Sequence, residues 1–176
     1  MADVTFETLV SAITDATRKT LAEIFEGGER FYYFALITNS GSPTCPVISA
    51  WSWEAFEKTN NEYLKWEWAD SPYYDCGEEY FKTVREIFNQ LPDLGVANDE
   101  ALWEIQFHFR VNAMVEALKR LDDEGLFAKN QPRKDIFVNV EMTDGYENIK
   151  RALQINEEAI VKEYLNGGFY ADDGRR

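Results

Sequence analysis

Residues 31–38 read Phe31-Tyr-Tyr-Phe-Ala-Leu-Ile-Thr38, and every position before the threonine is apolar or aromatic. A strand that faces water on one side alternates apolar and polar residues, whereas this run is apolar on both alternating faces. It therefore predicts a central strand that is covered on both faces. The turn residues Asn39-Ser-Gly-Ser-Pro43 follow, and Val47-Ile-Ser-Ala-Trp51 predicts a second strand that pairs with the first as a hairpin.

Five stretches place apolar residues at the spacing of a helix. They are residues 5–26, 52–65, 78–91, 98–123 and 146–165. Gly27-Gly28, Pro92 and Gly167-Gly168 mark helix ends, and Asn98 offers an N-cap for the fourth helix. The apolar residues of that fourth helix cover more than one stripe, so we expect it to be buried on two sides.

A third strand is predicted at Ile136-Phe-Val-Asn-Val-Glu-Met142, where the alternating apolar residues indicate one buried face. No repeat, low-complexity segment or linker divides the chain. We therefore expect a single α+β domain over residues 1–170, with a small, mainly antiparallel sheet packed with about five helices. Residues 171–176 are predicted to be a frayed C-terminal tail.

The chain is strongly acidic, with 32 Asp and Glu residues against 18 Lys and Arg residues and a formal charge of −14. Such a field repels phosphate backbones, which argues against nucleic acid as a partner. The same field would steer a basic protein into contact, although acidity also serves solubility alone. Composition by itself favours the solubility interpretation.

The sequence favours a soluble cytoplasmic protein with no membrane segment. The N-terminus lacks a basic region followed by an apolar one, and no apolar run approaches the roughly 20 residues of a spanning helix. Cys45 and Cys76 are too few for a disulfide framework. One bridge between them is conceivable, but two buried thiols are the commoner arrangement for cysteines with apolar neighbours.

Motifs for catalysis or cofactor binding are missing from the sequence. There is no phosphate-binding glycine loop, dinucleotide fingerprint, serine-hydrolase elbow or Cys-x-x-Cys pair, so we predict no catalytic residue, no metal and no cofactor. The single histidine, His108, lies between Phe107 and Phe109, which predicts a partly buried structural residue. Paired carboxylates such as Glu78-Glu79 point about 100° apart on a helix and cannot converge on one bond.

Residues 51–81 hold four of the five tryptophans together with a local excess of carboxylates. Trp51 and Trp53 lie at a strand end and a helix start, where we expect burial. The second half, with Ser71-Pro72, is predicted to be irregular, and loops carry function more often than scaffolds do. The predicted partner-binding residues are Trp66, Glu67, Trp68, Asp70, Tyr73, Tyr74, Asp75, Glu78 and Glu79.

Several stretches together resemble a family of uncharacterised bacterial proteins, domain of unknown function 4303. They are Phe31–Thr38, Cys45-Pro46, Trp66–Pro72, Leu121–Phe127 and Leu153–Asn156, in this order over roughly residues 30–160. The resemblance implies a bacterial, cytoplasmic, single-domain α+β protein without an assigned activity, and it supplies no catalytic residues.

Three functions are compatible with these features. The first is a non-enzymatic inhibitor of the immunity type, which covers a basic protein such as a toxin domain with an acidic, aromatic surface. The second is an adaptor domain in which the tryptophans are simply core. The third is a carboxylate-dependent hydrolase, acting on a glycan or with a metal, centred on Glu67, Asp70 and Asp75. We favour the first; the sequence leaves the partner's identity and the oligomeric state open.

Overall fold

A computed structural model of the chain describes residues 4–94 and 99–167. Within these ranges it contains six α-helices, three strands and four short 3-10 helices. The elements are α1 (Phe6–Glu26), β1 (Phe31–Thr38), β2 (Val47–Ser52), α2 (Trp53–Thr59), α3 (Lys82–Phe88), α4 (Glu100–Asp123), β3 (Phe137–Met142), α5 (Asn148–Ile155) and α6 (Glu158–Gly167). The 3-10 helices are Glu62–Leu64, Glu78–Phe81, Leu126–Ala128 and Arg133–Asp135.

The strands form one sheet in the order β2-β1-β3, so the apolar β1 is the central strand, as its sequence predicts. Ala35 lies opposite Ser49 in the antiparallel β1–β2 hairpin and opposite Asn139 in the parallel β1–β3 pair. The α+β class is confirmed. The sheet, however, is mixed rather than mainly antiparallel, because the chain crosses over between β1 and β3 instead of returning in a hairpin.

Helices cover both faces of the sheet. On one face Phe34, Leu36, Val138 and Val140 pack against the apolar residues of α1, α3 and α4. On the other face Tyr33, Ala35 and Phe137 pack against Trp66 and against α5 and α6. All residues of β3 are buried for this reason, including those between the alternating apolar positions that predicted a single buried face.

The long helix α4 is buried over its last two thirds. From Phe107 onward its buried residues span a broad arc that faces α1, β3 and α5. The first turns of α4 are exposed instead, and the side chain of Ile105 is 64% exposed to solvent. His108 is exposed as well, so the prediction that it is a partly buried structural residue is wrong. The predicted cap Asn98 lies outside the described residues, and Asp99 caps the helix by accepting from the Leu102 amide.

The predicted last helix is two helices that meet at Asn156. Its backbone is extended, with φ −116°, and its side-chain oxygen accepts from the Val138 amide at 2.9 Å. The amide nitrogen of the same side chain donates to the Val138 carbonyl at 2.7 Å. Asn156 thus takes the place of a neighbouring strand at the edge of β3, which favours a break over a continuous helix.

The predicted helices on either side of the irregular segment are shorter in the structure. α2 ends at Thr59, because the left-handed backbone of Asn60 terminates it. The predicted helix over 78–91 begins as a 3-10 turn before α3. None of the described helices has the length and hydropathy needed to cross a membrane. Gly168 and the predicted tail lie outside the described residues.

Candidate protein-binding surface

Residues 66–79, here called the acidic aromatic segment, run along the outer edge of β2. The Asp75 amide donates to the Ile48 carbonyl at 2.8 Å, and the Ser71 hydroxyl donates to the Ala50 carbonyl. Side chains of β2 reciprocate: Ser49 Oγ and Trp51 Nε1 each donate at 2.8 Å to carbonyl oxygens of the segment. The segment therefore satisfies the open edge of the sheet, and these bonds hold an irregular stretch in one conformation.

Trp66 belongs to the core and not to the surface. It is 5% exposed, and its ring makes edge contacts with Tyr33, Phe137 and Tyr164. The prediction that Trp66 contacts a partner is therefore wrong, because a partner cannot reach this side chain while the fold is intact. Trp51 is also buried, as predicted, and Trp53 is partly buried against Tyr32.

The exposed aromatic residue of the segment is Tyr74. Tyr74 is 44% exposed, and its ring packs against that of the partly buried Trp68, with 5.9 Å between the ring centroids. Tyr73 points the other way: its hydroxyl donates to Glu29, and its ring contacts Phe31 in the core. Trp68 and Tyr74 thus form an apolar contact area with a polar tip, which is typical of protein interfaces.

Five carboxylates and no basic residue occur in the segment. Asp70, Asp75, Glu78 and Glu79 are exposed, and Glu67 is partly buried. Arg85 pairs with Glu78 at 3.6 Å, whereas no other carboxylate of the segment has a salt bridge to a described residue.

Partial burial and, after it, repulsion between carboxylates raise the pKa of two acidic side chains in the segment. Burial raises the pKa of Asp75, and repulsion by Glu78 adds to the effect. Burial and then the neighbouring Asp70 likewise raise the pKa of Glu67. A cationic partner would relieve this repulsion, so the surface is complementary to positive charge.

A surface groove of about 370 Å³ adjoins the segment. Asp70, Tyr73 and Trp51 line one side of it, and Glu29 contributes from the bend after α1. The Glu29 carboxylate accepts from the hydroxyls of Ser52 and Tyr73 and lies 4.0 Å from Lys58 Nζ. Sequence reasoning missed Glu29, because nothing in its local pattern places it beside a segment about 40 residues further along the chain.

The remaining candidates for chemistry are dispersed. Within residues 4–94 and 99–167, no group of three or more His, Cys, Asp or Glu side chains could hold a metal ion. Cys45 and Cys76 are free thiols, and burial raises the pKa of each to about 12, so both stay protonated at neutral pH. Glu67, Asp70 and Asp75 share one segment, but Glu67 is partly buried whereas the two aspartates are exposed.

Comparison with known proteins agrees with the resemblance seen in the sequence. No curated protein matches the chain, and no solved structure does. One family model matches residues 12–157, a range that includes all three strands and the acidic aromatic segment. The chain therefore belongs to the family described as domain of unknown function 4303 (DUF4303).

Proposed function

We propose that this chain is a non-enzymatic binding protein of the immunity type, which neutralises a basic toxin in the cytoplasm by direct contact. The observation that carries the proposal is the acidic aromatic segment. It combines five carboxylates, no basic residue and the exposed Tyr74, whose ring packs on the partly buried Trp68, on one fixed stretch of chain. Aromatic anchors surrounded by like charge are suited to a partner with a basic, partly apolar binding face.

The fixed conformation of the segment supports binding over a purely structural role. Four hydrogen bonds to β2 hold its backbone or side chains in place before any partner arrives. A surface ordered in advance loses little conformational entropy on association, so more of the contact energy becomes affinity. The net charge of −14 would also accelerate the encounter with a basic protein at low salt.

The hydrolase alternative has less support. It requires carboxylates that converge on one bond, yet Glu67 is partly buried while Asp70 and Asp75 face solvent. The adaptor alternative explains Trp51 and Trp66, which are core, but it does not explain the exposed carboxylates around Tyr74. Inhibition of a basic protein accounts for these carboxylates and for the exposed Tyr74.

The proposal is tested by capture from a lysate of the source organism with two matched variants as bait. One variant neutralises the surface with Asp70→Asn, Asp75→Asn and Glu79→Gln; asparagine is chosen at 75 because that residue has a left-handed backbone. The control carries Asp123→Asn, Asp135→Asn and Glu157→Gln, which remove the same charge from other exposed positions. We expect the wild type and the control to retain a basic protein that the surface variant loses.

The captured protein must then be inhibited. We expect co-expression with the wild-type chain to restore growth to cells that make the captured protein, and co-expression with the surface variant to fail. Failure to capture any basic protein would contradict the inhibitor function. Equal capture by both variants would instead contradict the placement of the binding surface on the acidic aromatic segment.

A further inference from the structure

The groove beside the acidic aromatic segment contains a carboxylate oxygen to which no described residue donates a hydrogen bond. Both hydroxyls that hold Glu29, those of Ser52 and Tyr73, donate to the same oxygen, Oε2, at 2.5 Å each. The described cation nearest to the other oxygen, Oε1, is Lys58 Nζ at 4.0 Å, which is beyond hydrogen-bond length. Oε1 is therefore an acceptor that stays open to a donor from outside the chain.

The two donors fix the orientation of the Glu29 carboxylate. Ser52 is fully buried and also caps α2 by accepting from the Ala55 amide at 3.0 Å, so its hydroxyl cannot turn away without loss of that cap. Burial, followed by the hydrogen bond to Glu29, raises the pKa of Tyr73 to about 12, so its hydroxyl stays a donor at neutral pH. Oε1 is thus oriented before any ligand binds.

The walls of this groove combine negative charge with aromatic surface. Glu29 and Asp70 contribute two carboxylates against the single ammonium of Lys58, and Trp51 and Tyr73 contribute aromatic rings. A basic side chain has two matching parts, a methylene stem that packs on apolar surface and a cationic head that pairs with carboxylates. Lys58 plays this part only loosely, since its side chain is 78% exposed.

We propose that the groove receives the side chain of one lysine or arginine of a basic protein, whose cationic head donates to Glu29 Oε1. Asp70 supplies a second negative charge in the wall, and the incoming side chain displaces the competing ammonium of Lys58. The assignment rests on the proposed function, because it names the anchor point of the same protein contact. One basic side chain held in a pocket is the kind of contact that carries much of the binding energy at protein interfaces.

The test uses the full chain and two probes, Nα-acetyl-lysine amide and Nα-acetyl-arginine amide, at constant ionic strength. In heteronuclear NMR we expect the Trp51 Nε1–H signal to shift saturably with at least one probe, and the lower midpoint identifies the preferred side chain. The neutral Nα-acetyl-glutamine amide should cause no saturable shift. Glu29→Gln should raise the midpoint about fivefold, whereas Glu57→Gln, which removes an exposed carboxylate of α2, should leave it unchanged.

Lys58→Gln separates this site from a generally acidic surface. Removal of the competing ammonium should lower the midpoint about threefold, whereas Lys82→Gln, which removes an exposed positive charge from α3, should leave it unchanged. The absence of a saturable shift with either probe would overturn the groove as a site for a basic side chain, and so would equal midpoints for the wild type, Glu29→Gln and Lys58→Gln. Binding of the probes by a chain that captures no basic protein would support the groove and contradict the proposed function alone.

Discussion

Glu141 of β3 is a buried carboxylate, and it lies opposite Ile37 of the central strand. Tyr33 donates to its Oε2 at 3.0 Å. Burial nevertheless dominates and raises the pKa of Glu141 from 4.5 to about 7. The native fold therefore holds this carboxyl group protonated in mildly acidic solution, where an unfolded chain would release the proton.

Replacement of this group predicts a change in the pH dependence of stability. Because the pKa is higher in the folded state, the wild type should lose free energy of unfolding as pH rises from about 4.5 to about 7, by about 3 kcal/mol in total. Glu141→Gln keeps an acceptor for Tyr33 and cannot ionise. Urea unfolding should show it near wild type at pH 5 and more stable at pH 8.

Asp135→Asn serves as the control for Glu141→Gln, because it removes an exposed carboxylate just before the same strand. Its pH profile should follow the wild type. Parallel profiles for Glu141→Gln and the wild type would show that Glu141 does not titrate in this range.

Individual residues show where sequence reasoning reaches its limit. Trp51 was predicted to be buried because a strand carries it, and it is. Trp66 and Trp68 lie two positions apart in an irregular segment, where no periodicity states which of the two turns inward. Tertiary packing decides it, since the sheet residues Tyr33 and Phe137 and Tyr164 of α6 surround Trp66. The prediction that His108 is partly buried is wrong for a related reason: its apolar neighbours in the sequence face other directions around the helix.

Among the elements, the acidic aromatic segment depends on α1 as well as on β2. Gly77 is the point at which the segment packs against α1, and its backbone has φ +70°. A Cβ atom at this position would lie 2.0 Å from Thr20 Oγ1. Thr20 is fully buried on α1 and bonds back to the Ala16 carbonyl. A glycine at 77 therefore allows both the left-handed turn and the close approach that set the carboxylates in position.

Alanine substitutions at two glycines separate these two requirements. Gly77→Ala should lower the free energy of unfolding by about 3 kcal/mol, from backbone strain and overlap together. Gly125→Ala is the matched control, because that glycine has φ +75° and no atom near its would-be Cβ. It should lose only about 1 kcal/mol from strain. Equal losses in denaturant unfolding would contradict the tight packing of Gly77 on Thr20.

Elements formed from local sequence were predictable, and their long-range arrangement was not. α1, the β1–β2 hairpin and β3 follow from periodicity and turn residues, and the structure confirms them. The parallel pairing of β1 with β3 joins residues about 100 positions apart, which no local pattern encodes. The candidate site shares this property: the acidic aromatic segment is identifiable by composition, whereas Glu29 is brought beside it only by the fold.

At the scale of the whole molecule, the charge of −14 opposes folding through self-repulsion. Exposed ion pairs such as Arg18 with Glu124 and Arg120 with Glu7 act in the other direction. Exposed pairs contribute little to stability because water and salt screen them, so we expect repulsion among the many carboxylates to be the larger salt-dependent effect.

Salt should therefore stabilise the fold while it weakens the proposed complex. Between about 10 and about 150 mM salt the Debye length falls from about 30 to about 8 Å, which screens repulsion within the chain and attraction to a basic partner alike. We expect Tm to rise over this range and the association rate to fall. The variant with Asp70→Asn, Asp75→Asn and Glu79→Gln should show a smaller rise in Tm. A Tm that falls with salt would mean that the ion pairs dominate.

The crossover between β1 and β3 also has a consequence for synthesis on the ribosome. β1 and β2 can pair as soon as they emerge, but β3, which completes the sheet, begins at Phe137, 85 residues after β2 ends at Ser52. Until then one edge of the most apolar strand in the chain stays open, and both helices that cover the second face are still missing. Unpaired apolar edges of this kind invite aggregation, so the nascent chain is most vulnerable between translation of the hairpin and translation of Met142.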